Sequence, residues 1–423
     1  MPEVLVVYGL GSAGPTDIAA AAAGVADLVF AVDTRDEHSA RAADLLAEIG
    51  PVHDLAHQAA ADVVAAVAGS VAGVATYSET MLPAAARLAA ALGLPFHSPA
   101  TAAVLTSKSA QRTRLNAAGV GSVRQRPLTD LAELAAAVAA VGPPVVVKPD
   151  AGQSSRDTYR CDSPSDVPAL TADLAASAVP SDRWVVERLL VGRPAAPGRE
   201  WLGECCSVET AVVDGELWHY MITDKLPRTP PFRETGDMVP SALPAADQDA
   251  VRDVAARAIA ALGVRHGVVH TEIMLTPDGP VVIEANGRLA GDLGRLLRRA
   301  PGFDPARLVL EVALGSFGPG GPGRPPVVVP HPVFMWSVLP PTRRVAVKSV
   351  AGPSHFRGLD GVWAVDRPVR PGHVVDWRRG TREWIFTVWM EAPDLAAVPD
   401  RLDAVRRAAA TCVEYDELTG GTR

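Results

Sequence analysis

Two glutamates, Glu272 and Glu284, lie on a segment whose pattern predicts a β-hairpin. The turn is supplied by Thr276-Pro-Asp-Gly279, and β-branched residues precede and follow it. The two glutamates are equidistant from Asp278, so a hairpin centred on that residue places one carboxylate directly opposite the other. Like charges that face each other across two strands destabilise a sheet unless a cation lies between them. The spacing therefore indicates a site for a cation.

The second strand of this hairpin continues with Asn286 and Arg288. Because side chains alternate between the two faces of a strand, both share a face with Glu284. Carboxylate and amide oxygens suit Mg²⁺, which proteins typically hold by one or two carboxylates together with substrate phosphates. Solvated acids on a surface hairpin would explain any single glutamate here. Four polar groups on one face of an otherwise apolar hairpin favour a metal–phosphate site.

A second candidate for phosphate binding is the loop that follows Lys148, which contains Gly152, Ser154 and Ser155 and ends at Arg156. The preceding residues are apolar and predict a buried strand that ends in the lysine. Such a loop exposes backbone N–H groups and hydroxyls, and the lysine adds a positive charge. It is not a Walker A loop, because the pattern G-x-x-x-x-G-K-[ST] does not occur. Taken alone, the segment is also compatible with an ordinary turn.

Residues 1–98 alternate between predicted strands and helices, which favours an open, mainly parallel sheet with helices on both faces. Gly9-Leu-Gly11-Ser-Ala-Gly14 follows the first strand, and Asp33 ends the second. In a dinucleotide site these glycines would form the turn beside the pyrophosphate, and the acid would bind the ribose. A glycine turn is also what any doubly wound sheet needs at this point. Structural packing is the favoured interpretation, and an NAD-dependent oxidoreductase stays open as an alternative.

The composition is that of a globular chain of 423 residues with 48% hydrophobic residues and a net charge of −8. The negative charge argues against nucleic acid or an anionic membrane as the main partner. The amino terminus has no basic segment of a signal peptide, and the longest apolar stretch is too short to span a bilayer. The four cysteines form no C-x-x-C pair, so buried, reduced thiols in a cytoplasmic protein are expected.

The length predicts about two to four domains. The clearest linker is the Gly/Pro-rich segment 318–326, after which 327–423 reads as a small C-terminal α+β appendage. A second irregular segment, 225–243, is polar and rich in proline, and loops of this length are usually functional or disordered. The predicted regions before the linker are 1–98, 99–185 and 186–317.

The ordered set of polar residues resembles the ATP-grasp superfamily. In those proteins two lysines about forty residues apart contact the nucleotide phosphates, a strand ending in Glu-x-x-Leu holds adenine, and a Glu…Glu-x-Asn-x-Arg hairpin carries magnesium. The matching positions are Lys108, Lys148, Glu187 with Leu190, Glu272, Glu284, Asn286 and Arg288. The resemblance covers about residues 1–315. It implies an ATP-grasp fold, α/β and α+β in class, with an N-terminal doubly wound domain, a lid region (99–185) and a catalytic domain (186–317).

Within the superfamily the chain looks most like the L-amino-acid ligases, the bacilysin-type dipeptide synthetases. The segments that carry this likeness are Ile222–Lys225, Pro230–Gly236, His270–Glu272 and Glu284–Arg288. Biotin carboxylase is less similar, because its phosphate loop is a long glycine run.

By that likeness Glu234 would bind a substrate amine, and Arg288 would meet a carboxylate or the acyl phosphate. One departure is Glu204-Cys-Cys-Ser-Val-Glu209, where the usual pattern has an aromatic residue after the first glutamate. It leaves open whether Glu204 or Glu209 faces the nucleotide, and Glu209 is the residue we assign.

The resemblance implies an ADP-forming ligase that activates a carboxylate of an amino acid or small peptide as an acyl phosphate, which an amine then attacks. Its cofactors would be ATP and Mg²⁺ (or Mn²⁺), and a homodimer is possible. Ser154 and Ser155 would donate to the phosphates, and the segment 225–243 would close as a lid. His270 or Glu234 would accept a proton from the amine, although a neutral core histidine is equally compatible. An ATP-grasp ligase for other carboxylates and a non-catalytic nucleotide sensor are the remaining alternatives.

Overall fold

The computed structural model of the protein describes residues 1–177, 181–366 and 369–418. The structure does not describe residues 178–180, which belong to the predicted region 99–185, or residues 367–368 and 419–423, which belong to the predicted region 327–423. These parts of the two predicted regions lie outside the described residues. Within the described ranges no helix is long and apolar enough to cross a membrane.

The N-terminal residues form a four-stranded parallel sheet with strand order β3-β2-β1-β4. The central strands are apolar and buried on both faces, as is typical of a parallel sheet that helices cover on each side. The prediction of a doubly wound sheet is confirmed. The elements are β1 Glu3–Tyr8, α1 Pro15–Ala22, β2 Asp27–Val32, α2 Glu37–Ile49, β3 Val52–Asp54, α3 Ala60–Val67, β4 Val71–Ala75 and α4 Leu82–Leu92. The short strand β3 was not predicted, because it has a single apolar residue.

The glycine turn after β1 packs against the chain that follows β4. A Cβ atom on Gly11 would lie 2.0 Å from the carbonyl oxygen of Tyr77 and 2.9 Å from Cα of Ser78. The backbone N–H of Ser12 donates to the same Tyr77 oxygen at 2.9 Å. This close approach of two backbone segments accounts for the glycine. In the part of the chain that the structure describes, nothing supports the NAD-dependent alternative.

A second, antiparallel sheet has the strand order β5-β8-β6-β7 and packs its apolar face on two helices. The chain after residue 98 forms two helices and not one, because the Ser107 side chain accepts a hydrogen bond from the Ala110 N–H at 3.2 Å and caps a new helix that begins at Lys108. The elements are α5 Pro99–Leu105, α6 Lys108–Ala117, β5 Gln125–Leu128, α7 Leu134–Val141, β6 Val145–Pro149, β7 Tyr159–Cys161, α8 Val167–Ala175 and β8 Trp184–Arg188.

The largest sheet has eight strands in the order β13-β12-β9-β10-β11-β14-β18-β16. Five of its strands come first in the chain: β9 Cys205–Val213, β10 Glu216–Lys225, β11 Asp237–Val239, β12 Gly267–Thr276 and β13 Gly279–Asn286. The helix α9 Ala245–Leu262 packs against one face, and α10 Leu293–Leu297 and α11 Pro305–Ala313 follow β13 in the chain. The predicted hairpin is the pair β12–β13. The strand β11 lies inside the segment 225–243, where the sequence predicted only a loop, and it joins β10 to β14.

The C-terminal residues continue the same sheet. The elements are β14 Val333–Val338, β15 Val345–Val350, β16 Val362–Val365, β17 Val374–Val375, β18 Phe386–Glu391, α12 Val398–Ala409 and β19 Val413–Glu417. Strands β14, β18 and β16 extend the eight-stranded sheet, whereas β17, β15 and β19 form a separate three-stranded sheet. The linker 318–326, all of it described, contains no helix or strand. The four cysteines are buried and free, as predicted.

Candidate active site

A cleft with an empty volume of about 910 Å³ is lined by residues of the second sheet, the β12–β13 hairpin and the proline-rich segment. Nine of the residues predicted from the sequence line it: Lys108, Lys148, Ser154, Ser155, Glu187, Leu190, Glu234, Glu272 and Glu284. Four other predicted site residues do not line this cavity: Glu209, His270, Asn286 and Arg288. The structure therefore brings most of the predicted set together.

The β12–β13 hairpin has the predicted register. Glu272 pairs with Glu284, and His270 pairs with Asn286 on the same face. Each carboxylate has its own cation. The ammonium of Lys108 lies 3.0 Å from Glu284, and Nε2 of His270 lies 3.3 Å from Glu272. These cations offset the repulsion between the two opposed carboxylates.

Lys108 connects the hairpin to the loop after β6. Its ammonium donates to the carbonyl oxygen of Gly152 at 2.5 Å while it is paired with Glu284. Burial disfavours the ammonium form, but Glu284 and Glu79 outweigh that effect and raise the pKa of Lys108. The lysine is therefore charged.

Glu187 is held by two cations. Its carboxylate lies 2.8 Å from the Lys148 ammonium and 3.0 Å from Nε of Arg112. Burial by itself would raise the pKa of Glu187, but Lys148 and Arg112 lower it to about 2. Arg112 also donates to the carbonyl oxygens of Val282 and Ile283 at 2.9 and 3.0 Å. This arginine, which the sequence analysis missed, therefore joins α6, β8 and β13.

The structure does not bring Glu209 to the surface of the cavity, so its assignment to the nucleotide stays a prediction. Its side chain is fully buried and accepts hydrogen bonds from Ser207 at 2.7 Å, Thr223 at 3.3 Å and His270 at 3.0 Å. Strand alternation does place it on the face of the cavity, but neighbouring side chains cover it completely. The other candidate, Glu204, is exposed and also outside the described lining.

His270 is a cation between two carboxylates. Burial would lower its pKa, but Glu209 and then Glu272 outweigh that effect and raise the pKa of His270 to about 9. An imidazolium has no lone pair with which to accept a proton. In this arrangement a protonated His270 donates to Glu272 and orients its carboxylate, while a role of His270 as a base stays a prediction.

Arg288 is paired with a glutamate of the N-terminal region. Its guanidinium lies 3.1 Å from the carboxylate of Glu79, which is buried, and the Arg288 side chain is 11% exposed. Burial raises the pKa of Glu79, while Arg288 and Lys108 oppose the shift. The sequence signal that could have found Glu79 is its place just after a parallel strand, at the carboxyl edge where such sheets carry binding groups.

Glu234 reaches the cavity from the proline-rich segment. It lies 3.8 Å from the ammonium of Lys225, which is also paired with Asp237 at 2.9 Å. Burial raises the pKa of Glu234, and Lys225 opposes that shift. The segment is held in place because Thr229 and Arg233 exchange backbone hydrogen bonds of 2.9 Å. Its Arg233 guanidinium also donates to the carbonyl oxygen of Pro340 at 2.7 Å.

The residues that could hold a metal are two carboxylates and one amide. Within the described residues no group of three or more His, Cys, Asp and Glu side chains could hold a metal ion. The donors of Glu272, Glu284 and Asn286 nevertheless fit Mg²⁺, because this ion accepts few protein oxygens and completes its shell with phosphates and water. The amide nitrogen of Asn286 donates to Glu284 at 3.3 Å, which keeps the two groups adjacent.

Comparison with known proteins identifies the fold. Residues 141–295 match the model of the ATP-grasp domain. The L-amino acid ligase of Bacillus licheniformis superposes with a TM-score of 0.72 over 99% of both chains, at 19% sequence identity. The chain thus contains an ATP-grasp domain and has the ATP-grasp fold, which confirms the resemblance found in the sequence.

Two curated proteins are similar to parts of the chain. Alanine–anticapsin ligase of Bacillus subtilis (strain 168) is 28% identical over 251 residues, which are 56% of this chain and 52% of that protein. Carnosine synthase 1 of Gallus gallus is 33% identical over 155 residues, which are 36% of this chain and 15% of that protein. The chain therefore spans about half or less of the length of these relatives.

Proposed function

We propose that the protein is an ATP-dependent ligase that joins the carboxylate of one amino acid to the amine of a second amino acid or small peptide. The carboxylate would first take the γ-phosphoryl group of ATP, and the amine would then displace phosphate from the acyl phosphate, so that ADP and phosphate are released. The observation that carries the proposal is one cavity that combines Lys108 and Lys148 with the opposed Glu272 and Glu284 and, from another segment, Glu234. Two similar proteins named as ligases, alanine–anticapsin ligase and an L-amino acid ligase, support the proposal.

The nucleotide half of the cavity is formed by the second sheet. We assign the adenine to the stretch 187–190, which lines the cavity as β8 ends. The phosphates would then lie near Lys148 and the hydroxyls of Ser154 and Ser155. Phosphoryl transfer requires mainly positioning and neutralisation of charge, so these residues need no protein nucleophile beside them.

The hairpin supplies the electrostatic part of the reaction. Glu272, Glu284 and Asn286 would hold Mg²⁺, which when bound would neutralise phosphate charge and polarise the transferred group. Lys108, which is already charged and buried against Glu284, would stabilise negative charge that develops during transfer. His270 is a positioning residue for Glu272.

The substrate half of the cavity is formed by the segment 225–243. Glu234, with its carboxylate beside Lys225, would accept hydrogen bonds from the α-ammonium group of the activated amino acid. Arg288 would meet the carboxylate or the acyl phosphate, and its pairing with Glu79 fixes the guanidinium in place. Residues 228–234 of this segment, which contribute to the lining, would exclude water from an acyl phosphate that hydrolyses readily.

A screen of amino acids, singly and in pairs, with ATP and Mg²⁺ tests the function directly. We expect ADP and phosphate in equal amounts, formed only with suitable substrates, and a product whose mass equals that of the two substrates minus water. Phosphate release and mass spectrometry measure these quantities. AMP and pyrophosphate as stoichiometric products would contradict the mechanism, and turnover with acids that lack an α-amine would favour another class of carboxylate ligase.

Replacing Glu234 with glutamine is expected to raise the Michaelis constant of one amino acid by about ten- to a hundredfold. The variant keeps the shape but loses a charged hydrogen bond in a partly desolvated site, worth roughly 1.5–3 kcal/mol. The affinity for ATP, measured separately, should hardly change. Glu216→Gln, which alters an exposed glutamate at the start of β10 and outside the cavity, is the control. Lost ATP affinity with unchanged amino-acid constants would place Glu234 in the nucleotide site instead.

A further inference from the structure

The loop that follows β6 is in contact with a segment from the C-terminal region of the chain. We call residues 152–158 the phosphate loop and residues 376–381 the strap. Most of the strap belongs to a series of 3₁₀ turns, Trp377–Glu383. Gly380 interrupts these turns, with a φ of 71° and a ψ of −145°. These two segments are more than 200 residues apart in the sequence, and they meet beside the nucleotide half of the cavity.

Backbone hydrogen bonds connect the strap to the phosphate loop at two points. The N–H of Thr381 donates to the carbonyl oxygen of Ser154 at 2.9 Å, and the Thr381 hydroxyl donates to the same oxygen at 3.3 Å. In the other direction, the N–H of Asp157 donates to the carbonyl oxygen of Arg378 at 2.8 Å. The loop is therefore held at both ends of its central turn.

Gly380 makes this approach possible. A Cβ atom at this position would lie 1.9 Å from the carbonyl oxygen of Ser154 and 2.8 Å from the backbone nitrogen of Arg156. Both contacts are with backbone atoms, which cannot move aside as the end of a flexible side chain can. Any other residue would have to push the strap and the phosphate loop apart.

The phosphate loop needs such support, because its backbone adopts an unfavourable conformation. Ser154, Ser155 and Asp157 have φ values of 64°, 52° and 46°. This left-handed region is unfavourable for a residue with a Cβ atom, because Cβ lies too close to the following carbonyl oxygen. Conformations of this kind persist where surrounding contacts fix them, and they are found at ligand-binding sites. The strap provides contacts of that kind.

Further contacts extend the connection from the loop to the second sheet. The ring of Trp377 packs edge-to-face on Tyr159 of β7, with 5.6 Å between ring centres. The guanidinium of Arg378 donates to the carbonyl oxygen of Ala176, just after α8, at 3.2 Å. The strap thus contacts the sheet that carries Lys148 as well as the loop that follows it.

We propose that Gly380 and Thr381 are positioning residues that hold the phosphate loop in the shape in which it binds the phosphates of ATP. Neither residue lines the cavity, and both contact the phosphate loop at its backbone, Thr381 at Ser154 and Gly380 at Ser154 and Arg156. The identity of the ligand rests on the proposed function, whereas the effect of the strap on the shape of the loop does not. The C-terminal region thereby becomes part of the nucleotide site.

The variant Gly380→Ala tests the proposal, and Gly372→Ala is its matched control. Gly372 also has a positive φ of 84°, but a Cβ atom there would have nothing within 4 Å. Both variants place an alanine at a positive φ, and only Gly380→Ala adds the clash with the loop. Two quantities are measured for each folded variant: hydrogen–deuterium exchange in peptides that cover 152–158 and 376–381, and the dissociation constant of MgATP by calorimetry.

We expect Gly380→Ala to speed exchange in both peptides and to raise the dissociation constant of ATP by about tenfold, equivalent to ~1.4 kcal/mol. Gly372→Ala should change neither quantity. Thr381→Val, which removes only the hydroxyl bond to Ser154, should change both in the same direction by a smaller factor, and it serves if Gly380→Ala does not fold.

Unchanged exchange of the phosphate loop in Gly380→Ala, or unchanged ATP affinity despite faster exchange, would overturn the proposal. If the unmodified protein binds no ATP, the proposed function fails, and the exchange measurements alone then decide whether the strap shapes the loop.

Discussion

Replacing Glu284 with glutamine is expected to reduce kcat by about a thousandfold or more while the protein remains folded. The amide keeps the size of the side chain but removes one of the two opposed carboxylates that would hold Mg²⁺ beside the phosphates. Loss of a preorganised charge in a site of this kind typically costs several kcal/mol of transition-state stabilisation. The measurement is phosphate release at saturating ATP, Mg²⁺ and amino-acid substrates.

The matched control for this variant is Asp278→Asn, which makes the same change of charge at the exposed turn of the same hairpin. Its kcat should stay close to that of the unmodified protein. Near-normal kcat for Glu284→Gln at saturating Mg²⁺ would show that the opposed glutamates are structural.

The effect of Glu284→Gln on stability differs from what the hairpin alone predicts. Two opposed carboxylates should repel, so the register by itself predicts that a neutral amide leaves stability unchanged or slightly higher. In the structure, however, Glu284 has Lys108 at 3.0 Å, and both side chains are largely buried. The amide would leave that ammonium with a weaker partner, so the free energy of unfolding should fall.

The β12–β13 hairpin could be predicted in detail because the residues that determine it are close together in the sequence. A turn, two apolar flanks and strict alternation fix which residues face each other, and Glu272 opposite Glu284 follows from counting alone. The lysines followed from their types and from a spacing that resembles a known superfamily. Alternation also placed Glu209 on the correct face, but it could not show that three neighbours cover its carboxylate.

The partners of the buried charges could not be predicted, because they come from distant parts of the chain. Arg112 and Glu187 are separated by 75 residues, and Glu79 and Arg288 by 209. The pattern of each segment shows its own amphipathic face but not which segment will pack against it. The same reason explains why the continuation of the central sheet through β11 into β14 and β18 was not seen.

The second large effect is expected for Glu187→Gln, which should lower the free energy of unfolding by about 3–5 kcal/mol. The carboxylate of Glu187 is buried between Lys148 and Arg112 at 2.8 and 3.0 Å. Removing its charge leaves two buried cations without their shared partner, and breaking a buried pair costs far more than breaking an exposed one. Urea denaturation of the unliganded protein measures the difference at neutral pH.

The exposed pair of Glu133 and Arg126, 3.9 Å apart, provides the control. Glu133→Gln should change the free energy of unfolding by less than about 1 kcal/mol. Equal losses in the two variants would show that Glu187 is not a buried partner of both cations.

The stability that Glu187 contributes should also depend on pH. Its pKa falls from an ordinary value of 4.5 to about 2 in the folded protein, so folding favours the ionised form. A group of this kind stabilises the protein fully above its unfolded pKa, and the contribution is lost as the pH falls towards the folded pKa. The difference in unfolding free energy between the unmodified protein and Glu187→Gln should therefore be constant near neutral pH and shrink between about pH 4.5 and pH 2. A difference that grows on acidification would contradict the assignment of Glu187 as an ionised partner of Lys148 and Arg112.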